Sequence, residues 1–211
     1  MKKNYLLKKI DNDQKLFASC LKIIKSEKHF MISGGKTFFP LHVLMDKIKN
    51  RKNIYITLSD ERILNQKKDK ESNFYNINKN IKNNINIKIL GFMNNLGKMN
   101  NYKILDFYEK KMPLKKIKKI FLSPGIDGHF ASIFPNSKVI ASSKNFEIIK
   151  KEKGCNRLTL KFDYFKKKKI YVVLSKKKRK ILDMIKNNDM KYPIVSLIQK
   201  SKKKVTIIYV W

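Results

Sequence analysis

Short apolar runs separated by polar stretches dominate the pattern of this chain. Six of these runs are rich in Ile, Val, Tyr and Phe and are too short for helices, which predicts β-strands. They are HFMIS at 29–33, NIYITLS at 53–59, INIKIL at 85–90, IKKIFLS at 117–123, KIYVVLS at 169–175 and VTIIYVW at 205–211. Stretches with helical periodicity lie between several of them. This alternation predicts an α/β fold, with a mainly parallel sheet flanked by helices in a single domain over residues 1–211.

The clearest helical pattern is FFPLHVLMDKIKN at 38–50. Its apolar residues recur at helical spacing, at Leu41, Leu44 and Ile48. Thr37 is expected to cap the first turn, and Pro40 stands where a missing N–H does no harm. The segment 65–84 is rich in Lys and Asn and weakly patterned, which predicts a loop with one short helix.

The charge of the chain adds a question about partners. With 50 basic and 16 acidic residues among 211, the formal net charge is +34, which favours a polyanionic partner. Arginine, the residue that reads phosphates and bases with two parallel hydrogen bonds, occurs at only four positions. They are Arg51, Arg62, Arg157 and Arg179. We therefore interpret the lysines mainly as compositional drift and solubility, and expect no nucleic-acid partner, although the basic surface should attract small anionic substrates.

The remaining composition excludes several classes of protein. Cys20 and Cys155 are far apart and in no metal-ligand spacing, which predicts reduced thiols and no zinc site. No apolar run is long enough to span a membrane, and the first residues turn to charge after two leucines. We therefore expect a cytoplasmic protein with no membrane partner, and its oligomeric state stays open.

Two strand ends carry polar groups suited to an anionic ligand. In ISGGKT, at 32–37, adjacent glycines allow a tight turn whose N–H groups can hold a phosphate, although an ordinary strand-to-helix turn explains the pattern equally well. In SDER, at 59–62, an acidic pair and Arg62 follow the next strand, although an ordinary surface ion pair also explains this stretch. Ligands bind at the carboxyl ends of parallel strands, so both stretches are candidate site residues.

The run FLSPGIDGHFASIFPNS at 121–137 contains no lysine, unlike the sequence around it. A glycine-rich loop follows the strand and brings Asp127 within two residues of His129. A histidine oriented by a carboxylate is suited to activating water as a general base. By contrast, His29 on a strand and His42 in a helix are interpreted as structural.

Two further stretches place basic groups at element ends. NRLTL at 156–160 puts Arg157 at a strand start, and LSKKKRKIL at 174–182 opens a helix with lysines. Both suit phosphate binding.

Taken in order, these stretches resemble the 6-phosphogluconolactonase family, within a broader group that includes glucosamine-6-phosphate deaminases and isomerases. The matching elements are residues 33–38, Asp60-Glu61-Arg62, Ser72-Asn73-Phe74, the G-x-D-G-H-x-A-S-x-F-P run at 125–135, Arg157-Leu158-Thr159-Leu160 and residues 175–178. The resemblance implies a Rossmann-like sheet and hydrolysis of 6-phospho-D-glucono-1,5-lactone, a step of the oxidative pentose phosphate pathway, without metal or cofactor.

The resemblance also implies the roles of individual residues. His129 would be the general base, and Asp127 would orient it. The implied substrate-binding and phosphate-binding residues are Gly34, Gly35, Lys36, Thr37, Asp60, Arg62, Gly125, Gly128, Arg157 and Lys178. The substrate partner would be a phosphorylated sugar lactone.

The chain departs from the family pattern in three places. Lys36 and Phe38 stand for Ser and Pro, Ser123 and Pro124 stand for Gly and Met, and Ser175 stands for Gly. Two other functions remain open, a sugar-phosphate deaminase or isomerase of the same group and a basic polyanion-binding protein that uses the fold.

Overall fold

The computed structural model describes residues 3–48, 53–65, 70–91 and 96–211. Its strands are β1 (Tyr5–Ile10), β2 (His29–Ile32), β3 (Ile54–Leu58), β4 (Asp60–Arg62), β5 (Ile87–Leu90), β6 (Lys119–Leu122), β7 (Lys138–Ser142), β8 (Phe146–Lys150), β9 (Arg157–Leu160), β10 (Lys169–Leu174) and β11 (Val205–Val210). Its helices are α1 (Asp13–Ile24), α2 (Phe39–Asp46), α3 (Asn73–Asn80), α4 (Asn101–Lys111), α5 (Phe162–Lys166), α6 (Arg179–Lys186) and α7 (Pro193–Lys200).

Seven strands form one sheet in the order β1-β11-β10-β6-β2-β3-β5, and every neighbouring pair is parallel. All six strands predicted from the apolar runs lie in this sheet, which confirms the α/β fold class. Because all seven strands run the same way, their carboxyl ends share one edge, which we call the carboxyl edge. Their amino ends share the opposite edge.

Alternation along the central strands divides the core into two layers. In β6, Ile120 and Leu122 pack on one face, and Phe121 packs on the other. In β10, Val172 and Val173 face opposite ways in the same manner. Side chains of successive strand residues point to opposite faces, so both faces need a covering layer.

Helices provide that cover. α1, α2 and α3 pack on the face that holds Phe121, and α4, α6 and α7 pack on the other. Asn12, Ser72 and Asn100 cap α1, α3 and α4 by accepting a hydrogen bond from a backbone N–H of the first turn. Within the described ranges, no helix combines the length and the apolar character that crossing a membrane requires.

The start of the second helix differs from the prediction. A 3₁₀ turn at Lys36–Phe38 comes first, and α2 begins at Phe39 with Phe38 as an N-cap that offers no side-chain hydrogen bond. Thr37 lies inside the turn, so its predicted capping role is wrong. Pro40 occupies the first turn of α2 as expected. The short helix expected within 65–84 is α3, although residues 66–69 of that segment lie outside the described ranges.

A second, antiparallel sheet was not predicted. Its order is β4-β9-β8-β7, and it packs against the same core layer as α4 through Phe146, Ile148 and Leu158. Asp60 to Arg62 form strand β4 of this sheet rather than the end of β3. The small sheet therefore lies beside the carboxyl edge and carries one part of the candidate site.

Candidate active site at the carboxyl edge

Three loops meet at the carboxyl edge of the central strands. The Ser33 hydroxyl, after β2, accepts a hydrogen bond of 3.1 Å from the backbone N–H of Ser123, after β6. The Lys178 ammonium, after β10, donates to the Ser123 hydroxyl at 2.8 Å and to the Pro124 carbonyl at 2.5 Å. Ser123 thus joins the three loops directly.

The ammonium group of Lys178 is largely removed from solvent. Burial lowers its pKa to about 8. Its two described acceptors are neutral oxygens, so no carboxylate within the described ranges offsets this desolvation. A cation in this condition gains from a bound anion, which would return the electrostatic stabilisation that burial removes.

The loop after β6 folds back on itself and presents His129. The Gly125 N–H donates to the His129 carbonyl at 2.8 Å. A Cβ at Gly125 would lie 2.1 Å from Cε1 of His129, so the imidazole occupies the space that a side chain there would need. The glycine is therefore required for the ring to lie against the loop.

Asp127 orients the imidazole. Its Oδ1 lies 2.5 Å from Nδ1 of His129, and the ring of Phe134 packs against the imidazole with centroids 4.5 Å apart. Partial burial acts to raise the pKa of Asp127, but the hydrogen bonds and charge of His129 outweigh it and leave that pKa below its ordinary value. The carboxylate stays ionised at neutral pH and fixes the Nδ1 proton, which leaves Nε2 as the basic nitrogen. The His129 side chain is 29% exposed, so water can reach it.

A second cluster of hydrogen-bonded polar residues forms around Arg62. Its Nη1 donates to the Asn73 side chain at 2.6 Å and to the Glu71 carbonyl at 2.5 Å. Asn73 in turn donates to the Asp60 carbonyl at 2.9 Å. Gly34 packs so closely on Asn73 that a Cβ there would lie 2.2 Å from its Cγ. The loop after β2 and the start of the small sheet are therefore in contact.

Asp60 connects this second cluster to the His129 loop. Its carboxylate accepts from the Ser132 hydroxyl at 2.7 Å and from the Ser59 hydroxyl at 2.8 Å. Ser132 lies three residues after His129, so one hydrogen bond fixes the loop against the small sheet.

Two arginines lie side by side on the small sheet. Arg62 and Arg157 are directly opposite in the antiparallel pair β4 and β9, which puts both side chains on one face with Asp60. The buried Nε of Arg62 and Nη1 of Arg157 have no hydrogen-bond partner within the described ranges. Two neighbouring guanidinium groups with unused donors suit a phosphate or carboxylate ligand.

Glu61 shapes the site from behind, a role that the sequence did not reveal. It is 4% exposed, and its carboxylate accepts from the backbone N–H groups of Arg62, Asn73 and Phe74 and from the Ser72 hydroxyl. Burial raises its pKa, and the three backbone hydrogen bonds offset this only in part. Glu61 thus ties the start of α3 to β4. The sequence signal for this role was the position of Glu61 between Asp60 and Arg62, together with Ser72-Asn73 further along the chain.

The structure brings most of the predicted site residues into one connected set. The contacts described above join Asp127, His129, Gly125, Lys178, Gly34, Asp60, Arg62 and Arg157, through hydrogen bonds, close packing, strand pairing or a shared loop. Gly128 lies on the same loop as His129, and its N–H donates to the Gly125 carbonyl at 3.0 Å. Gly35, Lys36 and Thr37 lie on the loop and 3₁₀ turn after β2, and among the described contacts none joins the side chain of Lys36 or Thr37 to this set. Their assignment to a phosphate site stays a prediction.

The site also contains residues to which the sequence analysis assigned no site role. Asn73, Ser123 and Ser132 each bridge two elements. Of the three histidines, His42 is fully buried in the layer under α2, and His29 lies at the amino end of β2. In the part of the chain that is described, no three His, Cys, Asp or Glu side chains come together as metal ligands.

Comparison with known proteins agrees with this architecture. The family model described as glucosamine-6-phosphate isomerases/6-phosphogluconolactonase matches residues 12–207. A comparison with curated protein sequences gives no match.

Solved structures of low sequence identity share the fold across almost the whole chain. The 6-phosphogluconolactonase from Shewanella baltica is 18% identical with a TM-score of 0.77, covering 98% of this chain and 97% of that one. The 6-phosphogluconolactonase from Thermotoga maritima is 20% identical with a TM-score of 0.71, and 98% of each chain is covered. A monomeric glucosamine-6-phosphate deaminase is 14% identical with a TM-score of 0.75, covering 97% of this chain and 96% of that one. With the family model spanning most of its length, the chain belongs to the glucosamine-6-phosphate isomerase/6-phosphogluconolactonase family.

Proposed function

We propose that the protein hydrolyses 6-phospho-D-glucono-1,5-lactone to 6-phosphogluconate, a step of the oxidative pentose phosphate pathway, with His129 activating the water. The observation that carries this proposal is the contact of 2.5 Å between Asp127 and Nδ1 of His129 on a water-accessible loop at the carboxyl edge. Membership of the family and the lactonases among its structural relatives support the same substrate class.

The reaction needs a base, a place for developing negative charge and a proton for the leaving group. Nε2 of His129 takes a proton from water, whose oxygen attacks the lactone carbonyl carbon. The tetrahedral intermediate carries an oxyanion, which nearby N–H groups and cations stabilise. When the bond to the ring oxygen breaks, the protonated imidazole returns its proton to that oxygen. Asp127 stabilises the imidazolium between these two transfers.

The cations around the loop suit the 6-phosphate of this substrate. We assign Lys178, Arg62 and Arg157 to the phosphate, together with the backbone of the loop at 34–37. The unused arginine donors and the desolvated ammonium are the groups that would gain most from it. With its pKa at about 8, most of Lys178 is charged at neutral pH.

The other activity of the family, deamination and isomerisation of an amino sugar phosphate, is the second candidate, because a deaminase is among the structural relatives. That chemistry calls for an additional acid to open the sugar ring and move protons. Glu61 is buried with four donors, and residues 132–135 carry no carboxylate, which favours hydrolysis.

The test is a lactonase assay corrected for spontaneous hydrolysis. We expect wild type to accelerate hydrolysis and His129→Gln to lose roughly 10²- to 10⁴-fold in kcat, the usual contribution of a general base. The matched control is His29→Gln, at the opposite edge of the sheet, which should keep wild-type kcat.

Equal rates for wild type and His129→Gln would overturn the catalytic role of His129. Turnover of glucosamine 6-phosphate without lactone hydrolysis would favour the deaminase activity instead.

A further inference from the structure

The segments that lead into β2, β6, β10 and β11, including the short helix α5 and the first residues of three of these strands, form one strongly basic surface. We call it the amino-edge surface, and it comprises residues 25–29, 114–119, 161–169 and 202–204. Of these 23 residues, 14 are lysines, whereas the carboxyl-edge loops at 33–38, 59–65, 123–137 and 175–178 have 4 lysines among 32 residues. Drift acting evenly on all loops would not produce this difference, so position in the fold governs where the lysines lie.

Two adjoining clefts lie on the amino-edge surface. Their volumes are about 570 Å³ and 380 Å³, and both are lined by Lys115, Lys167 and Lys168. The first also contains Tyr164, and the second also contains Lys203. Shared lining residues make the two clefts one continuous basic path.

The ammonium groups on this path are close enough to oppose each other's charge. Burial lowers the pKa of Lys168 and of Lys169, and the charge of Lys203 lowers both further. Burial also lowers the pKa of His29, with added effects from Lys116 and Lys28. Crowding of like charges is unfavourable in the free protein, and an anionic ligand would relieve it.

The carboxylates of the amino-edge surface are already paired. Glu27 lies 2.8 Å from Lys119, and Asp163 lies 2.7 Å from Lys166. The ammonium of Lys168 donates to the carbonyl of Ile117, so this lysine is already engaged within the protein. Of the exposed lysines of the amino-edge surface, four line the clefts and form no ion pair with any described residue, namely Lys115, Lys118, Lys167 and Lys203.

We propose that the amino-edge surface binds a linear phosphate polyanion, such as the backbone of single-stranded RNA. Lysine is a compact point charge on a flexible stem, which suits contacts with successive phosphates and not the reading of base edges. The scarcity of arginine that argues against sequence-specific recognition therefore does not oppose this kind of binding. The amino-edge surface lies at the edge of the sheet opposite to His129, so the proposal is independent of the lactonase activity.

The test measures fluorescence anisotropy of a labelled oligouridine over a series of salt concentrations. The variant replaces Lys115, Lys118, Lys167 and Lys203 with Gln. The matched control replaces four exposed lysines elsewhere, Lys88, Lys98, Lys103 and Lys138, and has the same net charge. Both proteins should keep the wild-type free energy of unfolding in denaturant, which reports that they are folded and does not depend on the lactonase activity.

We expect the amino-edge variant to bind the oligouridine about tenfold or more weakly than wild type. The slope of log binding constant against log salt concentration should become less steep by about 3, because each lost phosphate contact contributes roughly 0.7. The control should lose much less. Inorganic polyphosphate should displace the RNA, because the shared chemistry is a chain of phosphates.

Three results would overturn the proposal. They are no binding by wild type at low salt, equal losses in the two variants, and RNA binding that polyphosphate does not displace. Equal losses would mean that net charge alone attracts the RNA.

Discussion

The two edges of the large sheet are built from the same strands, yet they hold their charged groups in different ways. At the carboxyl edge, charged side chains such as Asp60, Glu61 and Asp127 are fixed by several hydrogen bonds, and lysine is sparse. At the amino edge, lysines crowd together, and its two carboxylates form simple ion pairs. Lysine is therefore sparse where side chains are held in a defined geometry, although the chain as a whole is rich in it.

Removing one carboxylate from each edge should give the largest contrast. Glu61→Ala leaves three backbone N–H groups without their buried acceptor, so we expect a loss of roughly 3 to 5 kcal/mol in the free energy of unfolding. Glu27→Ala removes only the pair with Lys119 and should cost about 1 kcal/mol or less. Denaturant unfolding measures both, and similar losses would contradict the difference between the edges.

The free energy of unfolding at acid pH should depend on His42 much more than on His29. His42 is fully buried, neither of its ring nitrogens has a hydrogen-bond partner within the described ranges, and burial lowers its pKa to about 4. The folded protein therefore keeps His42 neutral while the unfolded chain protonates near pH 6.5, so stability is lost as pH falls between these values. The loss from this residue should reach about 3 kcal/mol at pH 4.

His42→Phe should retain most of that stability at acid pH, because a ring of similar size replaces a group that burial keeps uncharged. His29→Phe, at the amino edge, serves as the control and should follow wild type more closely. Unfolding free energies measured from pH 7.5 to pH 4 test this. Parallel curves for wild type and His42→Phe would rule out the assigned role of His42.

The smallest of these effects concerns the precision of the His129 loop. In Gly125→Ala, the new methyl group would overlap the imidazole, which must swing away from its place. We expect kcat to fall about 100-fold, the usual effect of misplacing a reacting group by about 1 Å, with little change in stability. Gly35→Ala is the folding control, because a Cβ there meets no atom within 4 Å. Wild-type kcat in Gly125→Ala would show that the close packing is not needed.

The sequence predicted the parts of the fold that depend on local pattern. The six apolar runs became strands of the large sheet because dense β-branched residues and burial on both faces agree there. The loop with Asp127 and His129 was predicted as a unit because its glycines, carboxylate and imidazole are neighbours in the chain.

The parts that were missed depend on distant contacts. β1 is a lysine-flanked edge strand with Leu6 and Leu7 about half exposed, so it lacks the pattern of a buried strand. Glu61 and Asn73 gain their roles from each other, 12 residues apart, through a loop whose path the sequence does not specify. Thr37 lost its predicted cap because a 3₁₀ turn moved the start of α2 to Phe39.

The pairing of β1 with β11 has a consequence for how the protein folds. Tyr5 is in register with Val205, so the first strand of the sheet has no neighbour until nearly the whole described chain has been made. Contacts of such long sequence separation form late and slow folding, because a long loop must close before they stabilise anything. During synthesis, β1 would emerge early and remain unpaired, while β2, β3 and β6 can already assemble. The lysines around its leucines then protect a nascent edge from pairing with other chains.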